Sequence, residues 1–458
     1  MSVHITEQGR VRYAARGEAS LRDARSSVRV WLALILALGG IGCQEAPSGP
    51  PERIVLIVVD TLRRDHLACY GSQVPTLNID RLAARGQTLT NAMSSFHQTT
   101  MSMAALFTGR TPSIESGNRR KTLAWTGRNW CGMSRFADPG SADSCIPRAL
   151  ATLGEAMSDA GYWTLGVASN ALLFDPAGYS EGFADWVEVG RPHWRPGTLD
   201  PAERRQFYVA HDGTQVNAAV AEALERRPSD RFFLYAHYMD AHDYSLGAGR
   251  RSYERHVQQA DAAVGALLEM LEDRGLAEDA VVVLTADHGE RLEERHPVPG
   301  GVGHRGNPSF DYLLRVPLIV SPARFEDPTV PMRSEDLHRW LRTLAGLESV
   351  RPSELRDDEL FLTEMKWQTY RSGRWKSTWF RRSRRSLLFD LLADPQERND
   401  VAEAHPEVLA QHRQRIAELS RRLTAEGAAA AADALTQDDR LRLEALGYLE
   451  EEASAGSP

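Results

Sequence analysis

The stretch "RIVLIVVDTLRRDHLACYG", Arg53 to Gly71, decides the fold. Ile54 to Val59 form an unbroken apolar run, mostly β-branched. A strand with one wet face alternates polar and apolar residues. A strand with no polar position must be covered on both faces, as in a parallel sheet between helices. The run stops at Asp60. A carboxylate therefore sits at the strand's carboxyl end, where open α/β sheets bind their ligands.

Working outward, similar runs recur: "YWTLGVAS" from Tyr162, "RFFLYAHYMD" from Arg231, "AVVVLTADHG" from Ala280 and "VPLIVS" from Val316. Helical patterns separate them. In "SYERHVQQADAAVGALLEMLEDRG", from Ser252, the residues Val257, Ala260, Val264, Leu267, Leu268 and Leu271 recur at three- and four-residue spacing. The alternation predicts a doubly wound α/β sheet flanked by helices. From about residue 350 the pattern shortens into aromatic and charged alternations, which predict a small antiparallel sheet. "PEVLAQHRQRIAELSRRLTAEG" predicts an amphipathic helix that stops at Gly427, with the Ala-rich segment beyond read as a frayed helix or linker. The expected division is a catalytic α/β region over 53–349 and a C-terminal subdomain over 350–458.

The 458 residues carry a formal net charge of −8, which excludes nucleic acid as a general partner because no basic surplus exists to neutralise phosphates. "RRSRR" from Arg381 reads as a solvated surface. Residues 1–29 are polar and Arg-rich. "VWLALILALGGIG" then runs from Val30 to Gly42, short of the roughly 20 residues a spanning helix needs. Small residues and Cys43 follow the pattern of a bacterial lipoprotein signal over 1–43, with Gly40 where a leucine is usual; a plain secretory signal or a short anchor is the alternative. Residues 44–52 read as a Pro-rich tether. The expectation is an envelope protein held to the membrane by an acylated Cys43 and facing the periplasm or the outside. Export permits a disulfide between Cys131 and Cys145 and leaves Cys69 as a free thiol.

Three strand ends carry metal-ligand chemistry. The first ends in Asp60, the strand from Arg231 runs into Tyr238, Asp240 and His242, and the strand from Ala280 ends in Asp287, His288 and Gly289. Each alone has a plain reading: a helix cap, a turn, a surface loop. Together they are carboxylates that repel one another unless a cation lies between them. Carboxylate oxygen with imidazole nitrogen suits zinc or manganese and, with more oxygens, calcium. "SSFHQTTMSMAALFTGR", Ser94 to Arg110, reads as a loop entering a helix that stops at Gly109, with Thr99 and Thr100 where the helix begins. A hydroxyl there is either an N-cap or a nucleophile in positive potential.

These residues, taken in order, resemble the sulfatases of the alkaline phosphatase superfamily over about residues 52–450. "IVLIVVDTLRRDHLACYG" is similar to the family's first strand and metal loop, "PTLNIDRLAARG" to its next helix, and "AALFTGRTP" to the end of the nucleophile helix. "FFLYAHYMDAH", "LTADHGE" and "RVPLIV" resemble later motifs, "LLFDLLADPQERNDVAEAHPE" the C-terminal signature, and "LEALGYLEE" a common ending. The resemblance implies an alkaline phosphatase-like sheet. The family's nucleophile motif, aligned on Thr108 and Gly109, puts its Cys or Ser at Thr99. Met101 stands for its proline and Met103 for its arginine, while Ser102 is kept. Threonine has no route to the formylglycine aldehyde of typical sulfatases. The family's Lys and His are absent near "GYWTLGVASN", which offers Ser169 and Asn170.

Threonine at this position resembles the superfamily's nucleotide phosphodiesterases and its phosphoglycerol and phosphoethanolamine transferases. The resemblance implies one divalent cation (Ca, Mn, Zn or Mg) on Asp60, Thr99, Asp287 and His288, without a second metal on Asp240, His242 and His304. It implies Thr99 as nucleophile, His242 or His304 as the acid for the leaving alcohol, and Asp240, Arg305 and Thr100 as substrate-binding groups. The expected substrate is an anionic ester of glycan, lipid or nucleotide type. Three readings follow: a hydrolase of phosphate-type esters, a sulfuric ester hydrolase, and an impaired relative that binds anionic polymers.

Overall fold

The computed structural model describes residues 49–111, 122–123, 127–128, 146, 150–173, 178–189, 213–242, 250–298, 303–304, 308–348, 355–363 and 366–433. The signal segment with Cys43, the Cys131–Cys145 pair, Arg305 and the chain beyond 433 lie outside the described residues.

The first elements are β1 (Arg53–Val59), α1 (Leu77–Arg85), β2 (Gln87–Thr88), β3 (Ala92–Met93), α2 (Thr99–Thr108), α3 (Leu153–Asp159), β4 (Trp163–Ala168) and β5 (Asp185–Glu188). Next come α4 (Gly213–Glu225), β6 (Phe232–Tyr238), α5 (Arg250–Asp273), β7 (Ala280–Thr285), the single turn α6 (Asp311–Leu314), β8 (Leu318–Ser321), β9 (Met332–Arg333) and α7 (Ser334–Leu344). The chain then forms β10 (Glu359–Thr363), β11 (Trp367–Ser372), β12 (Trp375–Phe380), β13 (Ser386–Asp390) and α8 (Pro406–Asp433).

Seven strands form the main sheet in the order β2-β8-β7-β1-β6-β4-β5. β1 lies between β6 and β7, parallel to both, and Ile54 to Val59 are fully buried. β8 departs from the parallel pattern that its apolar run suggested, pairing antiparallel with β7. The reason is the connection. Between β7 and β8 the helical structure described is the four-residue α6, too short for the crossover that returns a parallel strand to the starting edge. In α5, Val257, Ala260, Val264, Leu267 and Leu271 are buried, as their spacing requires.

The C-terminal strands form the antiparallel sheet β10-β11-β12-β13. Ile416 and Leu419 of α8 pack on it, and Arg415 grips the buried Glu359 with two nitrogens at 2.9 and 2.7 Å. α8 runs through Gly427, where the sequence suggested a stop. The alanines after it are the strongest helix formers and carry the helix past the single glycine. Lys376 of β12 is fully buried and ties this sheet to the main region through Asp311 at 2.8 Å, with Glu397 at 2.9 Å. Among the described residues no helix is long and apolar enough to cross a membrane.

Candidate active site

β1 delivers Asp60, whose N–H continues the ladder to the Tyr238 carbonyl at 2.9 Å. Thr61 follows with a φ of +57°, a left-handed conformation that is an outlier for a β-branched residue. Its cost is met by what the twist achieves: the Thr61 N–H points at Asp287 Oδ1, 2.9 Å away. β7 delivers Asp287 and His288 two and three residues beyond its end. Gly289 follows them, and its φ is not positive. A Cβ there would meet the Tyr312 carbonyl oxygen at 2.0 Å, so glycine is needed for close backbone approach.

α2 is buried along its whole length, apolar on nearly every side, and ends at Gly109 with a φ of +67°. Thr99 is its first helical residue, while Gln98 occupies the cap position without a side-chain hydrogen bond. The hydroxyl of Thr99 is therefore not spent on capping. Thr99 Oγ1 lies 3.3 Å from His288 Nε2 and 3.5 Å from Asp60 Oδ2. The approach to α2 is fixed by Ser94, whose hydroxyl donates to the Asp287 carbonyl, and by Ser95, which donates to the buried Glu335.

One pattern runs through the three ligand candidates. Asp60 Oδ2 accepts from Asn170 Nδ2 at 2.7 Å and from His237 Nε2 at 3.1 Å, while its Oδ1 is buried without a partner. Asp287 Oδ1 accepts the Thr61 and His288 N–H groups at 2.9 and 2.7 Å, while its Oδ2 is buried without a partner. His288 Nδ1 lies 2.8 Å from the Gly289 carbonyl, which only accepts, so Nδ1 carries the proton and Nε2 keeps a lone pair. One ligand atom from each of the three residues lies within 4.8 Å of the others. Bare buried carboxylate oxygens are costly unless something positive meets them. The donor set fits one divalent cation, and Thr99 Oγ1 stands close enough to be a fourth ligand atom.

The electrostatics agree. Burial alone would raise Asp60, but the His237 hydrogen bond and the imidazoles of His242, His237 and His288 around it outweigh it and hold Asp60 well below the usual carboxylate range. Burial, reinforced by the Asp60 charge, pushes Asp287 up. Two carboxylates whose affinities for a proton are driven apart are the signature of like charges sharing a site.

His304 and His242 line one side. The His304 ring centre is 4.5 Å from that of His288 and 5.7 Å from that of His242, and His304 Nδ1 lies 3.2 Å from Glu290 Oε2. Burial lowers His304 against the opposing pull of Glu290, so it is neutral at neutral pH. Two of the other expected substrate groups, Asp240 and Thr100, lie among the described residues. Asp240 Oδ1 accepts the Gly213 N–H at the start of α4, at 3.1 Å, and the Thr100 carbonyl takes the Tyr179 hydroxyl at 2.6 Å. Met103, where the family has arginine, is fully buried in the main core, and Met101 packs with Phe96 and Leu314.

Sequence reasoning passed over His237 and Tyr235 and gave Asn170 no role. The available signal was a histidine inside a strand that is otherwise apolar and aromatic, "FFLYAHY". Residues in such a strand are buried, and a buried imidazole needs partners.

The sulfatase family model matches residues 52–334. The chain belongs to the sulfatase family. It is 29% identical to human arylsulfatase A over 285 residues, 52% of this chain and 52% of that protein. It is 22% identical to an N-acetylgalactosamine-6-O-sulfatase of Bacteroides thetaiotaomicron over 78% of this chain and 90% of that one. This sulfatase-family chain spans about half the length of arylsulfatase A and, at 54%, of the canine N-acetylgalactosamine-6-sulfatase. Among solved structures it is similar to Ps i-CgsB, determined in complex with k-i-k-neocarrahexaose, with a TM-score of 0.61 and 18% identity over 86% of this chain and 99% of that one. It is also similar to the phosphonate monoester hydrolase of Agrobacterium radiobacter, with a TM-score of 0.54 and 16% identity over 82% and 96%. At these identities the structural likeness speaks for the fold.

Proposed function

We propose that this sulfatase-family chain is a cation-dependent hydrolase of sulfuric esters, that its substrate is a sulfated glycan, and that Thr99 is the nucleophile. One observation carries the reading: the unpartnered oxygens of Asp60 and Asp287 and the Nε2 of His288 converge beside a Thr99 hydroxyl that caps no helix and lies 3.3 Å from His288 Nε2. A divalent cation held there by Asp60, Asp287, His288 and Thr99 would act as a Lewis acid, lowering the hydroxyl's pKa and offsetting charge on the ester oxygens. In the proposed reaction Thr99 Oγ1 forms a bond to sulfur as the sulfur–oxygen bond to the glycan alcohol breaks. His304, neutral at rest, takes up the Thr99 proton and, with His242, returns it to the departing alcohol. Water then displaces Thr99 from sulfur, releasing sulfate and restoring the hydroxyl. The N–H groups at the start of α2 favour the anionic end of the substrate. Export with an acylated Cys43, a catalytic region over 53–349 and a C-terminal subdomain over 350–458 complete the proposal.

Thr99 itself favours a second reading, a hydrolase of phosphate-type esters. An unmodified threonine forms its covalent ester by direct displacement, and it has no aldehyde hydrate through which to expel sulfate. A panel of aryl sulfate, phosphate monoester and phosphodiester, run on the manganese-loaded chain and on Thr99→Ala, separates the two. The first reading requires the sulfate to turn over fastest and Thr99→Ala to lose roughly a thousandfold or more in kcat. Dominant phosphodiester turnover supports the second. Full activity of Thr99→Ala overturns both.

A further inference from the structure

We infer that His237 is a positioning residue which, backed by Tyr235 and paired with Asn170, forces Asp60 to offer a single oxygen to the cation and so turns the site toward manganese or zinc and away from calcium. The inference rests on the cation reading above.

The geometry begins with what Asp60 can offer. Its side chain is fully buried, and its two oxygens are unlike. Oδ2 takes two N–H donors, from Asn170 and His237, while Oδ1 takes none. A carboxylate only accepts, so His237 Nε2 must carry a proton. His237 Nδ1 is then a bare acceptor, and the Tyr235 hydroxyl lies 2.8 Å from it. Burial pushes the Tyr235 phenol well up, so it stays a donor. The chain of donors therefore has one direction: Tyr235 O–H to His237 Nδ1, then His237 Nε2–H to Asp60 Oδ2. Tyr235 and His237 stand two residues apart on β6 and share one face of the sheet, which makes the arrangement rigid.

The consequence is denticity. With Oδ2 saturated, Asp60 cannot wrap a cation with both oxygens. Asp287 repeats the device with backbone donors, the N–H groups of Thr61 and His288 on Oδ1. The protein's offer is then two single carboxylate oxygens, one imidazole nitrogen and the Thr99 oxygen. Calcium takes six to eight oxygens at flexible geometry, often including two-oxygen carboxylates. Zinc takes four ligands and manganese six in octahedral geometry, so each is completed by fewer added oxygens than calcium at its upper range, and zinc welcomes imidazole nitrogen. Asp287's donors belong to the main chain and cannot be removed by substitution. His237's can, and it is the side chain through which the preference is adjustable. Its two ring nitrogens are both accounted for by Asp60 and Tyr235, and groups that orient a ligand in this way tune the metal as strongly as they tune the fold.

The test is calorimetric titration of the metal-stripped full chain with Mn2+ and with Ca2+, in wild type, His237→Phe, His237→Gln and Tyr235→Phe. Wild type binds Mn2+ more tightly than Ca2+. His237→Phe, which frees Oδ2, narrows the Mn/Ca affinity ratio by about tenfold, the lower end of what such partners are worth. His237→Gln, still able to donate an amide N–H, keeps the wild-type ratio. Tyr235→Phe, which releases the tautomer but removes no donor to Asp60, narrows the ratio by less and serves if His237→Phe does not fold. An unchanged ratio in both His237→Phe and Tyr235→Phe, even with weaker binding of both ions, overturns the inference and leaves His237 a structural residue. A wild-type chain that binds neither ion overturns the cation reading itself, a different failure.

Discussion

Asp287→Asn gives the sharpest test of the cation site, because the structure predicts opposite signs with and without metal. Asp60 and Asp287 place ligand atoms within 4.8 Å of each other. Two unit charges at about that distance repel by roughly 3.5 kcal/mol at an effective dielectric near 20. Asparagine removes the repulsion. Its amide oxygen can keep the Thr61 and His288 N–H groups that Asp287 Oδ1 now holds, and its amide nitrogen falls at the bare Oδ2, facing Asp60. The two retained hydrogen bonds lose their charge assistance, about 1 kcal/mol each. The net expectation is a metal-free variant more stable than metal-free wild type by about 1–2 kcal/mol. With cation at about a hundred times its Kd, wild type gains about 2.7 kcal/mol and the variant, short of one ligand, gains a small part of that. The stability order reverses.

Urea unfolding followed by tryptophan fluorescence, in EDTA and then in excess Mn2+, reads both numbers. A variant that is less stable than wild type in EDTA by about 2 kcal/mol, the ordinary cost of losing a buried hydrogen-bonded carboxylate, refutes the repulsion argument. An equal gain from Mn2+ in both proteins refutes the assignment of Asp287 as a ligand.

Gly289→Ala drives a methyl into the Tyr312 carbonyl at 2.0 Å, so the turn carrying His288 must move. A loss of about 3 kcal/mol in urea and of most of the Mn2+-dependent gain is expected. Lys376→Met leaves Glu397 buried without its cation, while Asp311 keeps Arg315 at 2.7 Å, at a cost of about 3–5 kcal/mol near pH 8. Burial, helped by the Asp311 charge and opposed by Lys376, pushes Glu397 up to about 7. Its contribution is full below its ordinary value and lost as pH rises through about 7, so the variant's deficit should shrink on acidification from pH 8 to 5, and a flat deficit contradicts the pairing. Burial holds His338 down to about 3 while its Nδ1 bonds the Leu106 carbonyl at 2.9 Å. Its stability is complete above about 6.5 and falls with pH from there toward 3. His338→Gln, which can still donate to Leu106, should flatten the urea midpoint between pH 6.5 and 4, and an unchanged slope would place the acid sensitivity elsewhere.

The parts of the fold that local pattern could carry were legible. Buried strands announce themselves by unbroken apolar runs, and β1, β4, β6 and β7 stand where those runs lie. The α5 stripe is a helix period, and Gly109 closes α2 as a left-handed cap. The direction of β8 was hidden, because an apolar run reads the same in either sense and only the short α6 connection settles it. The need for glycine at 289 was hidden too, since the carbonyl that excludes a side chain belongs to Tyr312, which no local rule brings near.

The site divides along the same line. Asp60, Asp287 and His288 stood out because they follow directly on two unbroken apolar strands. The groups that orient Asp60 were not, because they lie 110 and 177 residues away in sequence. Strand order brings them together: β1, β6 and β4 are consecutive neighbours in the sheet, so Asp60, His237 and Asn170 meet across three adjacent carboxyl ends. Order of this kind is a property of tertiary packing and leaves no periodicity in the chain. The departures from the family's nucleophile motif follow a different logic. Met101 and Met103 are fully buried in two separate apolar clusters, so both positions now serve the core. The methionines are what this packing requires. The chain thus keeps the side chains proposed to hold a cation and carries an apolar residue where the family's motif has arginine. Charge neutralisation of the substrate then falls on the cation site and the N–H groups at the start of α2, and a calcium-to-manganese preference set through Asp60 would bear directly on catalysis.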